Sequence, residues 1–306
     1  MKNLLKAAVR GLARHVPPLR QLLVGLHAAK HPLFFPAGHF YSPLISAEEI
    51  HRDEQRIFAS PPASLPAIDL RVDEQRQLLE EFAEYYKDLP FKPEKQPGLR
   101  YHYENPNYLY SDAIFLACMI RHARPARFLE VGCGYSSCVT LDINECDFSN
   151  AIECTFIDPY PDLLGSFLTA EDRERVRILP QRIQDVALEE FEKLAPNDIL
   201  FIDSTHVSKT GSDVNRIIFE ILPALRSGVY IHFHDIFYPF EYPTKWVYEG
   251  RGWNEAYTLR AFLEYNTAFE IVCFNTFLAH RFPEFFEARM PLCLKNTGAS
   301  IWLRKR

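Results

Sequence analysis

From Ser111 to the C-terminus, short apolar runs alternate with segments of helical periodicity. "RFLEVG" (127–132), "ECTFID" (153–158), "RVRILP" (175–180), "DILFID" (198–203), "GVYIHFHD" (228–235) and "FEIVCF" (269–274) read as strands, and "ASIWLRKR" (299–306) as a last one. Between them "SDAIFLACMIRHARP", Ser136 to Ile143, "DLLGSFL", "VALEEFEKLAP", "SDVNRIIFEILPAL" and "NEAYTLRAFLEY" read as helices. The central strands are apolar at nearly every position, so both of their faces must be covered. That pattern belongs to a parallel sheet with helices on each side. The expectation is an α/β fold: a mostly parallel, seven-stranded sheet with helices on both faces, plus an N-terminal helical extension.

The extension is expected over residues 1–105 and the sheet domain over 106–306. Pro-rich passages, "SPPASLPAIDL" (60–70) and "LPFKPEKQPGLR" (89–100), punctuate the first part, and Val72 to Lys87 between them has helical spacing. No acid precedes Glu48, although the chain as a whole carries a net charge of −6. Lys2, Lys6, Arg10 and Arg14 line one helical stripe, and Leu5, Val9, Leu12 and Val16 another. Such a helix can lie on an anionic membrane surface, but packing on its own domain or on a second subunit is the more common use of such a stripe. Charge interrupts the apolar stretch, which argues against a secretory signal. No apolar run reaches the ~20 residues that span a bilayer. The net negative charge speaks against a general nucleic-acid binder. The seven cysteines are scattered without a Cys-x-x-Cys pair, so reduced thiols in a cytoplasmic protein, peripheral to the membrane at most, are expected.

In a sheet of this kind the ligand sits beyond the carboxyl ends of the strands. Glu130, Asp158, Asp203 and the His234-Asp235 pair all stand at such ends. Acids closing four of five strands converge on one cleft.

The turn after the first strand, "FLEVGCGYSS" (128–137), holds Gly132 and Gly134, where a backbone can approach a cofactor closely. A nicotinamide fingerprint needs a third glycine at position 137, where this chain has Ser137. The acid-x-Gly-x-Gly pattern, with a further acid ending the next strand, resembles the class I S-adenosylmethionine-dependent methyltransferases, a Rossmann-like fold. The resemblance implies that Glu130 and the turn residues Gly132, Gly134, Tyr135 and Ser136 hold the methionine end of the cofactor. Tyr135 stands where many members carry another glycine. Asp158 is implied for the ribose hydroxyls, Gln184 and Asp185 for the adenine, and Asp203 as a further cofactor-binding residue that also serves catalysis. The stretch from Phe201 to Pro243, with "GHFYSPL" (38–44) and "YENPNY" (103–108), is similar to the branch with macrolide-sugar and other metal-dependent sugar O-methyltransferases. The similarity spans roughly residues 36–275.

A sugar hydroxyl is a weak nucleophile, and a divalent cation or a general base remedies that. The resemblance implies Asp203 and Asp235 as ligands for Mg²⁺ or another divalent cation, with His234 as a third. It implies His206, three residues after Asp203, as the catalytic base, whose ordinary pKa of ~6.5 suits the task. His232 and His234 share one face of their strand, and His232 reads as the deeper, core residue. "WVYEGRGWNEAY" (246–257) offers aromatic rings to stack on sugar faces. The expected function is O-methyl transfer from S-adenosylmethionine to a small-molecule acceptor, a sugar or glycoside, by a chain that suits homo-oligomer formation. The alternatives are a nicotinamide-dependent oxidoreductase and a non-catalytic binding protein on the same fold.

Overall fold

The computed structural model describes residues 34–306. The basic stripe from Lys2 to Arg14, with its expected membrane contact, lies outside the described residues. No described helix is long and apolar enough to cross a membrane. Two compact units are distinguished: residues 34–59 with Tyr248–Gly252, and Ser60–Val247 with Trp253–Arg306.

In the first unit the Ser46 hydroxyl accepts from the Glu49 N–H and starts helix α1, Ala47–Ile57. Glu48 and Glu49 in its first turn and Arg56 in its last complement the helix dipole. Every residue of α1 is at least partly exposed.

The second unit is built on seven strands: β1 Arg127–Val131, β2 Glu153–Ile157, β3 Arg177–Leu179, β4 Ile199–Ile202, β5 Tyr230–His234, β6 Phe269–Phe274 and β7 Ser300–Lys305. Their order across the sheet is β3-β2-β1-β4-β5-β7-β6. All pairings are parallel except those of β7, which runs antiparallel to β5 and β6. Phe128 to Val131, all of β4 and all of β5 are buried at consecutive positions, as a sheet covered on both faces requires. The strand order reverses between β1 and β4, which opens a crevice beyond their carboxyl ends.

Residues 60–105, expected within the extension, pack with the sheet in the second unit. Helix α2, Val72–Tyr86, buries Leu78, Leu79, Phe82 and Ala83. Phe82 meets Phe115 of helix α3, Tyr110–Ala123, edge to face at 5.6 Å. Buried Gln75 accepts the Phe274 N–H at 2.7 Å and so ties α2 to the end of β6. Further on, the Arg100 guanidinium donates to Asp142 at 2.8 Å and to Asp172 at 2.6 Å, and the Arg100 and Tyr101 N–H groups also reach the Asp142 carboxylate. Asp142 belongs to helix α4, Tyr135–Phe148, so the Pro-rich passage is fastened to the helix that follows the glycine turn. The expected helix at "VALEEFEKLAP" is a single turn, Glu189–Glu192, ahead of Pro196. All seven cysteines are free thiols.

Candidate active site at the carboxyl ends of the strands

The turn between β1 and α4 is fixed by its neighbours. The Gly132 N–H donates to the Ile157 carbonyl at 2.9 Å, and the Asp203 N–H to the Val131 carbonyl at 2.9 Å. Gly132 has φ +81°, and a Cβ there would overlap the carbonyl oxygen of Asp203. Glycine is therefore required by both conformation and space. The Ser137 hydroxyl accepts the Gly134 N–H at 3.0 Å, so the serine that replaces a third glycine closes the turn.

Glu130 is fully buried at the end of β1. Its Oε1 accepts from the Ser136 hydroxyl at 2.5 Å, while Oε2 has no partner. Burial pushes its carboxyl up to about 8, against the hydrogen bond from Ser136. An unpartnered buried carboxylate oxygen is costly, and an entering ammonium group would repay the cost. Asp158 ends β2 half-buried, accepting the Cys133 N–H at 3.1 Å on one oxygen and the Tyr160 N–H at 2.7 Å on the other. Oδ2 also takes the Cys133 thiol at 3.7 Å, a weak bond that an entering hydroxyl would displace, and Oδ1 keeps a free lone pair. Tyr135 packs its ring on Phe167 at 4.9 Å.

Two expected adenine-binding residues are engaged elsewhere. Gln184 donates to the Gly211 carbonyl at 3.2 Å. Exposed Asp185 pairs with Arg182 at 2.8 Å.

Beyond β4 and β5 the structure brings Asp203, His206 and Asp235 together, with ligand atoms all within 4.8 Å of one another. His206 Nε2 lies 3.3 Å from Asp203 Oδ1 and 3.5 Å from Asp235 Oδ2. The imidazole between the two carboxylates is thus His206, and His234 is not one of the three. His234 lies buried at the end of β5, its Nε2 3.7 Å from Asp235 Oδ1 and its Nδ1 without a partner. His232 is buried deeper, with its ring stacked on Phe201 at 3.8 Å, as expected of a core residue.

A group that the sequence did not point to completes the cluster. Glu255, buried at the start of helix α5 (Glu255–Leu263), places Oε2 2.8 Å from His206 Nδ1. Burial works against a charge on this imidazole, but the Asp203 and Glu255 carboxylates outweigh it and push His206 up to about 10. Trp253 lies against the same ring at 4.4 Å. The only sequence signal for Glu255 is an acid opening a helix, which helix-dipole pairing explains as well.

The family model described as "Methyltransferase domain" matches residues 129–236, from β1 past Asp235. An uncharacterized protein of Archaeoglobus fulgidus is 35% identical over 170 residues, which is 54% of this chain and 76% of that protein. The chain belongs to that protein's family and carries a methyltransferase domain. Among solved structures, SAH-bound methyltransferase PaMTH1 of Podospora anserina is 14% identical, with a TM-score of 0.41 over 86% of this chain and 97% of that one. The O-methyltransferase TomG of Streptomyces achromogenes is 14% identical, with a TM-score of 0.43 over 84% of this chain and 96% of that one.

Proposed function

We propose that this methyltransferase takes its methyl group from S-adenosylmethionine and transfers it to a hydroxyl of a small-molecule acceptor, a sugar or glycoside. The observation that carries the reading is Glu130: a fully buried carboxylate at the end of β1 with one oxygen unpartnered beside the glycine turn. An amino acid's ammonium group fits that oxygen. Asp158 at the end of the neighbouring strand suits the ribose diol, with the Gly132–Gly134 turn between the two. No dinucleotide fingerprint accompanies them, so a nicotinamide cofactor is disfavoured.

S-adenosylmethionine supplies a methyl group on a sulfonium, which is a good leaving group. The chain's part is to place the acceptor oxygen in line with that methyl and to take its proton. His206 Nε2 opens onto the half-buried carboxylates of Asp203 and Asp235, and it is the group assigned to receive the proton. The two carboxylates are also a donor set that fits a divalent cation, Mg²⁺ with water completing its shell, or Mn²⁺. Asp203 and Asp235 would hold such a cation, which lowers the pKa of an oxygen bound to it. Trp246 and Trp253, packed edge to face at 5.3 Å, support a ring-shaped acceptor next to His206.

The test is release of S-adenosylhomocysteine from S-adenosylmethionine over a panel of nucleotide sugars and glycosides, with and without Mg²⁺. Product that depends on a glycoside supports the reading. Product with no member of the panel, but with a phenol or carboxylate acceptor, would overturn the substrate class.

A further inference from the structure

The residues that open α5 grip His206 at both backbone and ring. The N–H groups of Asn254 and Glu255 donate to the His206 carbonyl at 3.0 and 3.1 Å. Asn254 reaches past it: its Oδ1 accepts the Ser208 N–H at 2.6 Å, and its Nδ2 donates to the Ser208 carbonyl at 3.1 Å. These bonds hold His206 at φ +59°, a left-handed conformation that residues with a Cβ seldom adopt. Such strain persists only where the surroundings over-determine it. The ring is then fixed from one side by Trp253 and at Nδ1 by Glu255 Oε2.

Glu255 has no other evident use. It is 1% exposed, and among the described residues its hydrogen bond to His206 is the one its side chain makes; Oε1 has no partner. A carboxylate at the first position of a helix ordinarily stays in water, where it costs nothing. Here it is sunk into the protein against one imidazole nitrogen. An imidazole held by a carboxylate at one nitrogen has its orientation set and its other nitrogen left for chemistry.

We propose that Glu255 is the positioning residue of His206: it takes the Nδ1–H hydrogen bond and so presents Nε2 to Asp203, Asp235 and the acceptor hydroxyl. The proposal rests on the reading of His206 as the group that receives the acceptor's proton. Glu255 itself touches no reacting atom.

The test is proton NMR on the full chain labelled with ¹⁵N in its histidine rings, with S-adenosylhomocysteine as the added probe. The wild-type protein is expected to show a far-downfield, slowly exchanging ring proton on His206 Nδ1, assigned by its loss in His206→Asn. It should persist in Glu255→Asp and move upfield or vanish in Glu255→Gln. With an acceptor taken from the glycoside panel, Glu255→Gln should lower kcat at least ~10-fold with KM nearly unchanged. Absence of that proton in the wild type overturns the proposal, whatever the variants do. So does an unchanged proton, or an unchanged kcat, in a folded Glu255→Gln. S-adenosylmethionine affinity, measured by calorimetry on the same samples, tests the cofactor assignment separately. A protein with the Nδ1 proton but no such affinity keeps the pairing and loses the function proposed above.

Discussion

His206 Nδ1 and Glu255 Oε2 stand 2.8 Å apart across 49 residues of sequence, both inside the protein. On its other nitrogen His206 faces two further carboxylates, Asp203 and Asp235. Burial opposes a charge on this imidazole, but the Asp203 and Glu255 carboxylates push it up to about 10. A base must be unprotonated to act, and at pH 7 a group of that pKa is free in roughly one molecule in a thousand. The rate in EDTA is therefore expected to climb as pH rises toward 10. With Mg²⁺ the Asp203 and Asp235 charges are engaged and cease to hold the proton, so the rising limb should move to lower pH. Rates of S-adenosylhomocysteine release against pH, with and without chelator, check this. Identical profiles in the two conditions would remove the cation from the account. Replacing His206 by Ala should lower the rate ~10²–10⁴-fold and leave S-adenosylmethionine affinity largely intact.

Glu130 predicts a proton count. With its carboxyl raised to about 8 by burial, it is mostly protonated at pH 7 in the ligand-free protein. Pairing with an ammonium group stabilises the ionised form and lowers that pKa, so binding should release up to ~0.9 proton per cofactor at pH 7. The release should fade above pH 9, where Glu130 is already ionised. Calorimetric titrations in buffers of different ionisation enthalpy measure it, and Glu130→Gln should abolish it.

Gly132 is the point where β1, the turn and β4 meet, and nothing larger fits against the Asp203 carbonyl. Gly132→Ala adds a clash to a left-handed backbone and should destabilise the protein by about 2–4 kcal/mol. The control is Gly134→Ala, whose Cβ would meet only the Leu163 side chain, at 3.4 Å. Thermal melts that rank the two equally would contradict the described turn.

The lower boundary of the sheet unit is open to truncation. A chain beginning at residue 106 loses α2 and Arg100. Burial of Leu78, Leu79 and Phe82 contributes about 1.5–3 kcal/mol each. The ion pairs of Arg100 with Asp142 and Asp172, and the Arg100 and Tyr101 N–H bonds to Asp142, are lost as well. That sum is comparable to the whole stability of a domain. The 106–306 fragment is expected to be unfolded or insoluble, and a fragment from Ser60 to fold. Circular dichroism of both decides it.

The sheet was legible because buried parallel strands demand apolar residues at every position, and an acid ending such a run stands out. Glu130, Asp158, Asp203 and Asp235 were all visible in that way, as were Gly132 and Gly134 between two of the strands. The relation of His206 to His234 was not. Both stand at or just past the end of an apolar strand beside an acid, and what places one of them between the carboxylates is the backbone at φ +59° and the grip of Asn254 and Glu255, which no local pattern records. Residues 60–105 misled for a related reason. Prolines mark their ends as irregular, but such chain can still be buried when Arg100, and Gln75 on the helix between, answer polar groups far along the sequence.

The most direct measurement is calorimetric titration of the purified protein with S-adenosylmethionine, with NAD⁺ as the comparison ligand and Asp158→Ala as the variant. One saturable S-adenosylmethionine site per chain is expected, with no NAD⁺ site and a loss of ~1–3 kcal/mol in the variant, where the cofactor's ribose hydroxyls lack their acceptor. Absence of S-adenosylmethionine binding, or binding that Asp158→Ala leaves untouched, would contradict the cofactor assignment.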